Sequence, residues 1–418
     1  VDYPRVLTRL GFLGDSIMAS NHSFSGTDGG FTTAQAIGEI NWASALYPHF
    51  EYDTWYASGA SPNFEGMNTA RGGDTSTLTL GRVAALNAYS PGVVLVAVGT
   101  NDVTNSTPAA TAMANIEAIC QYFLSRGKKV ILATVRPRGG AAFPENLPDG
   151  DPRLVILQDL NTLIRAYAAA TANVYLWDVY LAYDDGTGRN IAGYTIDGTH
   201  PTRTGAQAGG ASLVPVLEQV FSTDYSYAPT AFVPLNGQQR EQMLGTGGGG
   251  TLRSSGTTAT GWFIQASGTG TATCVKSKDG NDKQVMTITP QASGAANETF
   301  IVIPNGGALA VVPGNWYKSY IKIRLSAWGG WRALQIGGGG MLSSGLGGVD
   351  AAAVLDAPTE VELDIIGPPW QCPVGTTTQP AFFRLDIDGT ASGSGVATVE
   401  TYGLAEIPDP RPLHGVSI

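Results

Sequence analysis

The chain has 418 residues, with 24 basic and 34 acidic side chains and a formal net charge of −10. That balance makes nucleic acid and anionic lipid poor partners and favours neutral ones. No apolar run reaches the roughly 18 residues of a membrane-spanning helix, and neither a Met nor a signal-peptide pattern precedes Val1, so an amino-terminal segment is expected to have been removed or left off. A secreted or surface-associated location is the matching expectation.

Val6 to Leu13 is an apolar run ending at Gly14, the pattern of a buried strand feeding a tight turn. Ser16 would then emerge at the strand's carboxyl end, where open α/β sheets bind ligands. The tripeptide Gly14-Asp15-Ser16 alone fits a helix N-cap better than a nucleophile. The polar stretch Ala19 to Thr33, which includes His22, follows and either shapes a pocket or forms a surface loop. A helix is expected near Ala34 to Leu46 and a strand at about Tyr52 to Ala57, ending near Trp55 and Tyr56.

Next comes the glycine block Asn68-Thr69-Ala70-Arg71-Gly72-Gly73-Asp74-Thr75-Ser76, ahead of a helical pattern from Leu78 to Ala88. A glycine at a helix start lets a backbone N–H approach a ligand where the dipole favours negative charge. The second apolar run, Gly92 to Val98, ends in Gly99-Thr100-Asn101-Asp102. Asn101 is there either a turn residue or an amide aimed at an oxygen that becomes negative during acyl transfer. A helix over Ala109 to Arg126, a strand at Val130 to Thr134, a Pro- and Gly-rich loop from Arg136 through Arg138 to Pro152, a helix from Arg153 to Ala170 and a strand at Val174 to Trp177 complete an alternating pattern. Asp197-Gly198-Thr199-His200 then precedes a helix from Thr202 to Phe221, and its spacing lets Asp197 hold one imidazole nitrogen while the other faces a serine. The other histidines, His22, His49 and His414, have no acidic partner at comparable spacing.

This alternation predicts a three-layer αβα sandwich around a central parallel sheet over residues 1–222. Beyond a linker at 223–240, residues 241–418 show short alternating strands, about eight of them, expected to form an all-β sandwich. Trp316, Trp328, Trp331 and Trp370 there are either a platform for sugar rings or core and interface residues. Cys120 falls in a helical pattern and reads as a buried thiol, while Cys274 and Cys372 are candidates to pair. Trp55, Arg71 and Arg136 lie near the expected ligand edge as candidate substrate contacts, and either arginine suits a carboxylate on the substrate.

Taken in order, Gly14-Asp15-Ser16, the block at Gly73, Gly99-x-Asn101-Asp102 and Asp197-x-x-His200 resemble the SGNH, or GDSL-type, hydrolase family over about residues 5–222. Ile17, where the family more often has Leu, is a conservative departure. The resemblance implies Ser16 as nucleophile, His200 as base, Asp197 as its orienting acid, and an oxyanion hole from the Ser16 N–H, Gly73 and Asn101. It implies no metal or cofactor for catalysis, and His-Glu-x-x-His, a zinc-type Cys pair, a phosphate-binding Gly-x-x-x-x-Gly-Lys and the Gly-x-Ser-x-Gly elbow are all missing from the chain.

The β-region loosely resembles the jelly-roll sandwiches appended to carbohydrate-active enzymes. That analogy makes a structural Ca²⁺ plausible, although Asp364, Asp386 and Asp388 form no recognisable binding loop. The resulting expectation is a serine esterase that removes O-acetyl or other short acyl groups from carbohydrate through an acyl-enzyme, with an acylated polysaccharide or oligosaccharide as partner. The alternatives are a general short-chain esterase, lipase or thioesterase and, from a different class, a glycan-binding virion or cell-surface module. Oligomeric state is not set by the sequence.

Overall fold

The structure, a computed structural model, describes residues 8–21, 38–52, 54–56 and 64–229 and, within 254–410, the strands and some of the turns joining them, among them 311–315, 326–330, 372–377 and 388–394. In chain order the first part contains β1 (Leu10–Gly14), α1 (Ser16–Ala19), α2 (Glu39–Leu46), β2 (Thr54–Tyr56), β3 (Phe64–Gly66), α3 (Ser76–Leu80), α4 (Val83–Asn87) and β4 (Val93–Ala97). It continues with α5 (Thr100–Thr104), α6 (Ala109–Leu124), β5 (Lys129–Ala133), α7 (Pro152–Ala170), β6 (Val174–Trp177), α8 (Val179–Tyr183) and α9 (Arg203–Val220).

β1, β4, β5 and β6 form a parallel sheet in that order. Every residue of β1 and β4 is buried, as a strand covered on both faces requires. Leu13, Val94, Val96, Val130 and Leu132 join one core with α4, α6 and α7. Phe12, Leu95 and Ile131 are buried as well, and because side chains alternate along a strand they belong to the other face, where α9 packs against α2 and β6. The expected αβα layering is therefore present.

Two expected elements take a different form. The stretch Tyr52 to Ala57 does not enter the parallel sheet, since it lacks the unbroken apolar run that such a position needs; β2 pairs antiparallel with β3 instead. The edge beside β1 is filled by single bridges from Arg9 to Glu51 and from Phe12 to Asn68. The helical pattern from Leu78 to Ala88 is broken into α3 and α4, with Gly81 ending the first and Arg82 outside helical geometry at φ −111°.

By its contacts the first compact unit runs on to Tyr227, beyond the expected boundary at 222, and the second spans Ala228–Asp409. Tyr227 donates its backbone N–H to the Pro48 carbonyl at 2.8 Å, and the Tyr225 hydroxyl reaches Glu51 at 3.4 Å, so the start of the expected linker is packed. Residues 230–240 lie outside the described residues.

The second unit is all-β. One sheet has the order β16 (Val361–Ile366), β13 (Trp316–Leu325), β20 (Gly395–Ile407), β10 (Lys283–Thr289), β9 (Thr273–Asp279) and β7 (Ser254–Gly256), with β17 (Trp370–Gln371) also on β13. The other runs β15 (Ser344–Leu346), β14 (Trp331–Gly337), β19 (Phe382–Ile387), β11 (Glu298–Pro304) and β8 (Trp262–Ser267), and β12 (Leu309–Ala310) pairs separately with β18 (Thr378–Gln379). Strands β10, β20, β13 and β16 lie beside one another in the first sheet, and β11, β19, β14 and β15 in the second, which is the interleaving of two Greek keys. Phe383 of β19 meets Tyr402 of β20 edge-on at 5.1 Å, so the two sheets share a core.

That core absorbs most of the tryptophans considered as a sugar platform. Trp316, Trp328 and Trp331 are buried; the last two stack edge-on at 4.9 Å and spend their indole N–H groups on the Ser392 and Ser326 carbonyls. The side chain of Trp370 lies outside the described residues. Cys274 and Cys372 are separate buried thiols rather than a disulfide, and Cys120 is buried too, its thiol pushed up to about 12 chiefly by burial. Asp364 accepts from the Tyr320 hydroxyl, Asp386 pairs with Arg384 and Asp388 with Arg332, so each carboxylate is already engaged.

Arg136 corrects a second expectation. Rather than facing substrate it is 4% exposed, with its guanidinium bidentate on Glu39 of α2, Nε to Oε1 at 2.8 Å. The Tyr183 hydroxyl donates to the same Oε1 at 2.8 Å, and the Trp177 ring lies 5.4 Å from the guanidinium. Burial opposes the Arg136 cation, but Glu39, Tyr183 and Asp15 outweigh it and hold its pKa above the ordinary value. From the segment after β5 the Arg136 side chain enters the core, where Glu39 supplies the counter-charge. Removing one partner strands the other in the core, so Arg136→Met is expected to cost about 3–5 kcal/mol in urea unfolding. The double replacement Glu39→Met with Arg136→Met is expected to recover most of that loss.

Candidate active site

The position of Ser16 begins with Gly14. A Cβ there would meet the Ala97 carbonyl oxygen at 2.4 Å and Met18 Cγ at 2.6 Å, so only glycine lets the ends of β1 and β4 and the following turn pack this closely. Asp15 is buried and caps α1, its Oδ1 accepting the Ile17 N–H at 3.0 Å. Burial raises its pKa against the opposing pull of that N–H, Arg136, Thr100 and His200. Ser16 opens α1 half-buried, and its Oγ lies 2.8 Å from Nε2 of His200.

His200 is held from behind. Its Nδ1 is 2.7 Å from Asp197 Oδ2, while Asp197 Oδ1 accepts the backbone N–H groups of Thr199 at 2.9 Å and His200 at 2.8 Å. Partial burial raises the Asp197 carboxyl, and the hydrogen bonds from His200 and the turn's N–H groups overcome it, leaving the pKa lowered from 3.8 to about 2. An ionised Asp197 selects the tautomer with the proton on Nδ1, which leaves the Nε2 lone pair toward the Ser16 hydroxyl. The Asp197 side chain keeps 49% of its surface exposed, so this end of the site is open.

The glycine block meets the same edge. Gly73 has φ +79° and open space where a Cβ would stand, so backbone conformation rather than crowding requires glycine. The Arg71 N–H donates to the Gly14 carbonyl at 3.2 Å, tying the block to the strand end that precedes Ser16. Arg82, at the α3–α4 break, pairs with Asp74 and also donates to the Gly14 carbonyl at 3.3 Å. Asn101 of α5 donates through Nδ2 to the Asp74 carbonyl at 3.0 Å, which fixes the orientation of its amide. Its neighbour Asp102 accepts the Ser76 N–H and the Ser76 hydroxyl, both at 2.7 Å, and so clamps the first turn of α3.

The structure thus brings Ser16, His200 and Asp197 into one hydrogen-bonded series and ties the Gly73 and Asn101 segments to the strand end beside it. Of the substrate-contact candidates, Arg71 is exposed and Arg136 is buried in its ion pair with Glu39. Trp55 is in β2, with its side chain outside the described residues, as are residues 22–37 of the polar stretch after Ser16. The sequence alone did not mark a role for Arg82, Asp102 or Asn146, whose Nδ2 donates to the Asp197 carbonyl at 2.7 Å. Asp102 had a signal, standing beside Asn101 in the same motif; Arg82 and Asn146 had none, because their partners are distant in sequence. Among the described residues no cluster of three His, Cys, Asp or Glu side chains is placed to hold a metal ion, and no helix is long and apolar enough to cross a membrane.

No curated protein sequence matches the chain. Several solved structures resemble it at low identity. A GDSL-like lipase from Bacteroides thetaiotaomicron is 22% identical, covering 51% of this chain and 87% of its own, with a TM-score of 0.35. A variant of an acetyl-xylooligosaccharide esterase from a Geobacillus species is 18% identical, over 50% of this chain and 94% of its own, with a TM-score of 0.39. A member of the lipolytic G-D-S-L family from Veillonella parvula is 17% identical, over 50% and 97%, with a TM-score of 0.35. The sequence model of the GDSL-like lipase/acylhydrolase family matches residues 12–208, which span every catalytic-motif residue described above, and this part of the chain is a GDSL-like lipase/acylhydrolase domain of the SGNH type.

Proposed function

We propose that the protein is a serine esterase that removes short acyl groups, acetyl foremost, from carbohydrate through an acyl-enzyme. The observation that carries the reading is the series Asp197 Oδ2 to His200 Nδ1 at 2.7 Å and His200 Nε2 to Ser16 Oγ at 2.8 Å. His200 takes the hydroxyl proton as Ser16 Oγ attacks the ester carbonyl, and Asp197 stabilises the imidazolium that forms. The carbonyl oxygen becomes an oxyanion facing the N–H groups of Ser16, Gly73 and Asn101. Its collapse expels the sugar hydroxyl, which takes the proton from His200. Water then attacks the acyl-serine with His200 again as base, releasing the carboxylic acid and restoring Ser16.

The half-exposed Asp197 and the polar side chains about the turn, Asn146 and Thr199 among them, support a substrate presented from a hydrated surface. The net charge of −10 favours a neutral polymer over an anionic one. An acylated polysaccharide or oligosaccharide outside the cell fits these features best. Burial of three tryptophans in the β-unit's core means that any sugar recognition there would use other residues.

Acyl release from matched acetyl, butyryl and octanoyl esters and from acetylated xylan tests the reading. Acetyl-selective release that disappears in Ser16→Ala is the expected result. Preference for the longest chain would instead indicate a lipase or thioesterase, and no Ser16-dependent release from any of these esters would leave a glycan-binding module.

Asp197→Asn is expected to lower kcat by about 10²- to 10⁴-fold, since the amide neither favours the required tautomer nor balances the imidazolium. Asp197 has a depressed pKa, so its stabilising contribution is complete above the ordinary 3.8 and is lost only as pH falls toward about 2. Protonation of Asp197 is therefore expected to add no proton to any acid loss of kcat/KM above pH 3.8. A two-proton slope in that range would contradict the assignment.

A further inference from the structure

The loop between β5 and α7 belongs to no motif, yet it reaches the acid–base turn from behind. Asn146 Nδ2 donates to the Asp197 carbonyl at 2.7 Å and to the Thr199 hydroxyl at 2.9 Å, so one amide grips the turn on both sides of Gly198. Gly198 has φ +81°, and a Cβ there would stand 3.0 Å from Asn146 Cβ, Asn146 Nδ2 and Phe143 Cβ, so the turn and the loop fit only with glycine between them. Asn190 adds bonds from its Nδ2 to the Gly139 and Gly198 carbonyls at 3.0 Å, and the Gly139 N–H donates to the Gly198 carbonyl at 2.9 Å.

The other end of Asn146 is fixed as well. Its Oδ1 accepts from Arg138 Nη2 at 3.2 Å, and Arg138, 7% exposed, donates through Nη1 to the Thr100 carbonyl at 3.2 Å and the Thr104 hydroxyl at 3.0 Å. Thr100 and Thr104 are the first and last residues of α5, the helix that carries Asn101. The next residue, Leu147, is buried in the core at φ 55°, a left-handed conformation that Leu adopts at a cost and that anchors Asn146 from the main chain. The bonds run unbroken from the Asn101 helix through Arg138 and Asn146 to the Asp197–His200 turn.

We propose that Asn146, backed by Arg138, is a positioning residue that keeps the Asp197–His200 turn in register with the Asn101 oxyanion donor. This rests on the esterase reading above. Base and oxyanion donor sit on separate segments, and a misplacement of about 1 Å between groups of this kind can cost on the order of 100-fold in rate.

Two variants test it in the full chain, with kcat and KM for a soluble acetyl ester and the rate of Ser16 labelling by a fluorophosphonate as readouts. Asn146→Ala removes the bonds at both ends. Asn146→Asp keeps the shape and the acceptor for Arg138 but removes the two donated bonds, so it reports on the turn even where the alanine variant folds poorly. Both are expected to lower kcat and labelling by roughly 10- to 100-fold with KM within about twofold. Arg138→Lys, which keeps the charge but loses the fork, is expected to give a smaller fall of the same kind. Wild-type kcat and labelling in Asn146→Asp, or a rise in KM alone, would overturn the positioning role while leaving the esterase reading intact. Failure of the esterase reading shows separately, as wild-type hydrolysis that Ser16→Ala does not remove.

Discussion

A single hydrogen bond, Ser16 Oγ to His200 Nε2 at 2.8 Å, joins residues 184 positions apart, and both of its ends are held by further contacts. The serine end is fixed by sheet packing. Gly14 closes β1 against β4 so tightly that no side chain fits, and Asp15 caps the turn that raises the hydroxyl. The histidine end lies between α8 and α9. It hangs on a turn held by its own carboxylate, by Asn190 and by Asn146. One end therefore draws its rigidity from apolar burial and the other from polar bonds, which have direction and so can fix a ring plane as well as a position.

The charged groups beneath the site show the same division. Arg136 and Glu39 are buried and join α2 to the segment that follows β5. Arg138, two residues on, is also buried but spends its donors on carbonyl, hydroxyl and amide oxygens. Burial pushes the Arg138 pKa down, while Asp15 and Asp197 pull it back up. One arginine thus braces the core and the other braces the site, although both lie in the same short segment after β5. Position near an active edge says little about the role of a long cationic side chain, because its stem can run under the sheet as readily as over it.

The parts of the fold legible in the sequence were those written in local pattern. β4 and β6 are apolar runs with turn signals at their ends, and α6, α7 and α9 carry unbroken helical periodicity, so their places follow from burial alone. The break at Gly81 and Arg82 was hidden because the apolar period continues through Val83 and Leu86; at the break Gly81 caps the first helix and Arg82 is engaged by Asp74 and the Gly14 carbonyl. The β-unit's tryptophans were ambiguous for a related reason. Strand alternation says that a side chain faces one side of a sheet, but not whether that side is covered, and here Trp328 and Trp331 fill the space around Gly395. Residues that act through distant partners, Asn146 above all, have no signature in a single sequence.

Three motif aspartates look interchangeable in the sequence and are separated by what they bind. Asp15 accepts an N–H at the head of α1, Asp102 accepts an N–H and a hydroxyl at the head of α3, and Asp197 accepts two N–H groups of its own turn. Each carboxylate organises backbone, and of the three Asp197 also meets an imidazole, through Oδ2 at 2.7 Å. Its distinction lies in surroundings as well as spacing: Asp15 is buried and its pKa is raised, whereas Asp197 is half in water and its pKa is lowered. A carboxylate that must balance a transient imidazolium has to remain ionised through the cycle. Of the two, only the environment at Asp197 favours the charged form, so it is the aspartate whose surroundings suit the role proposed for it above.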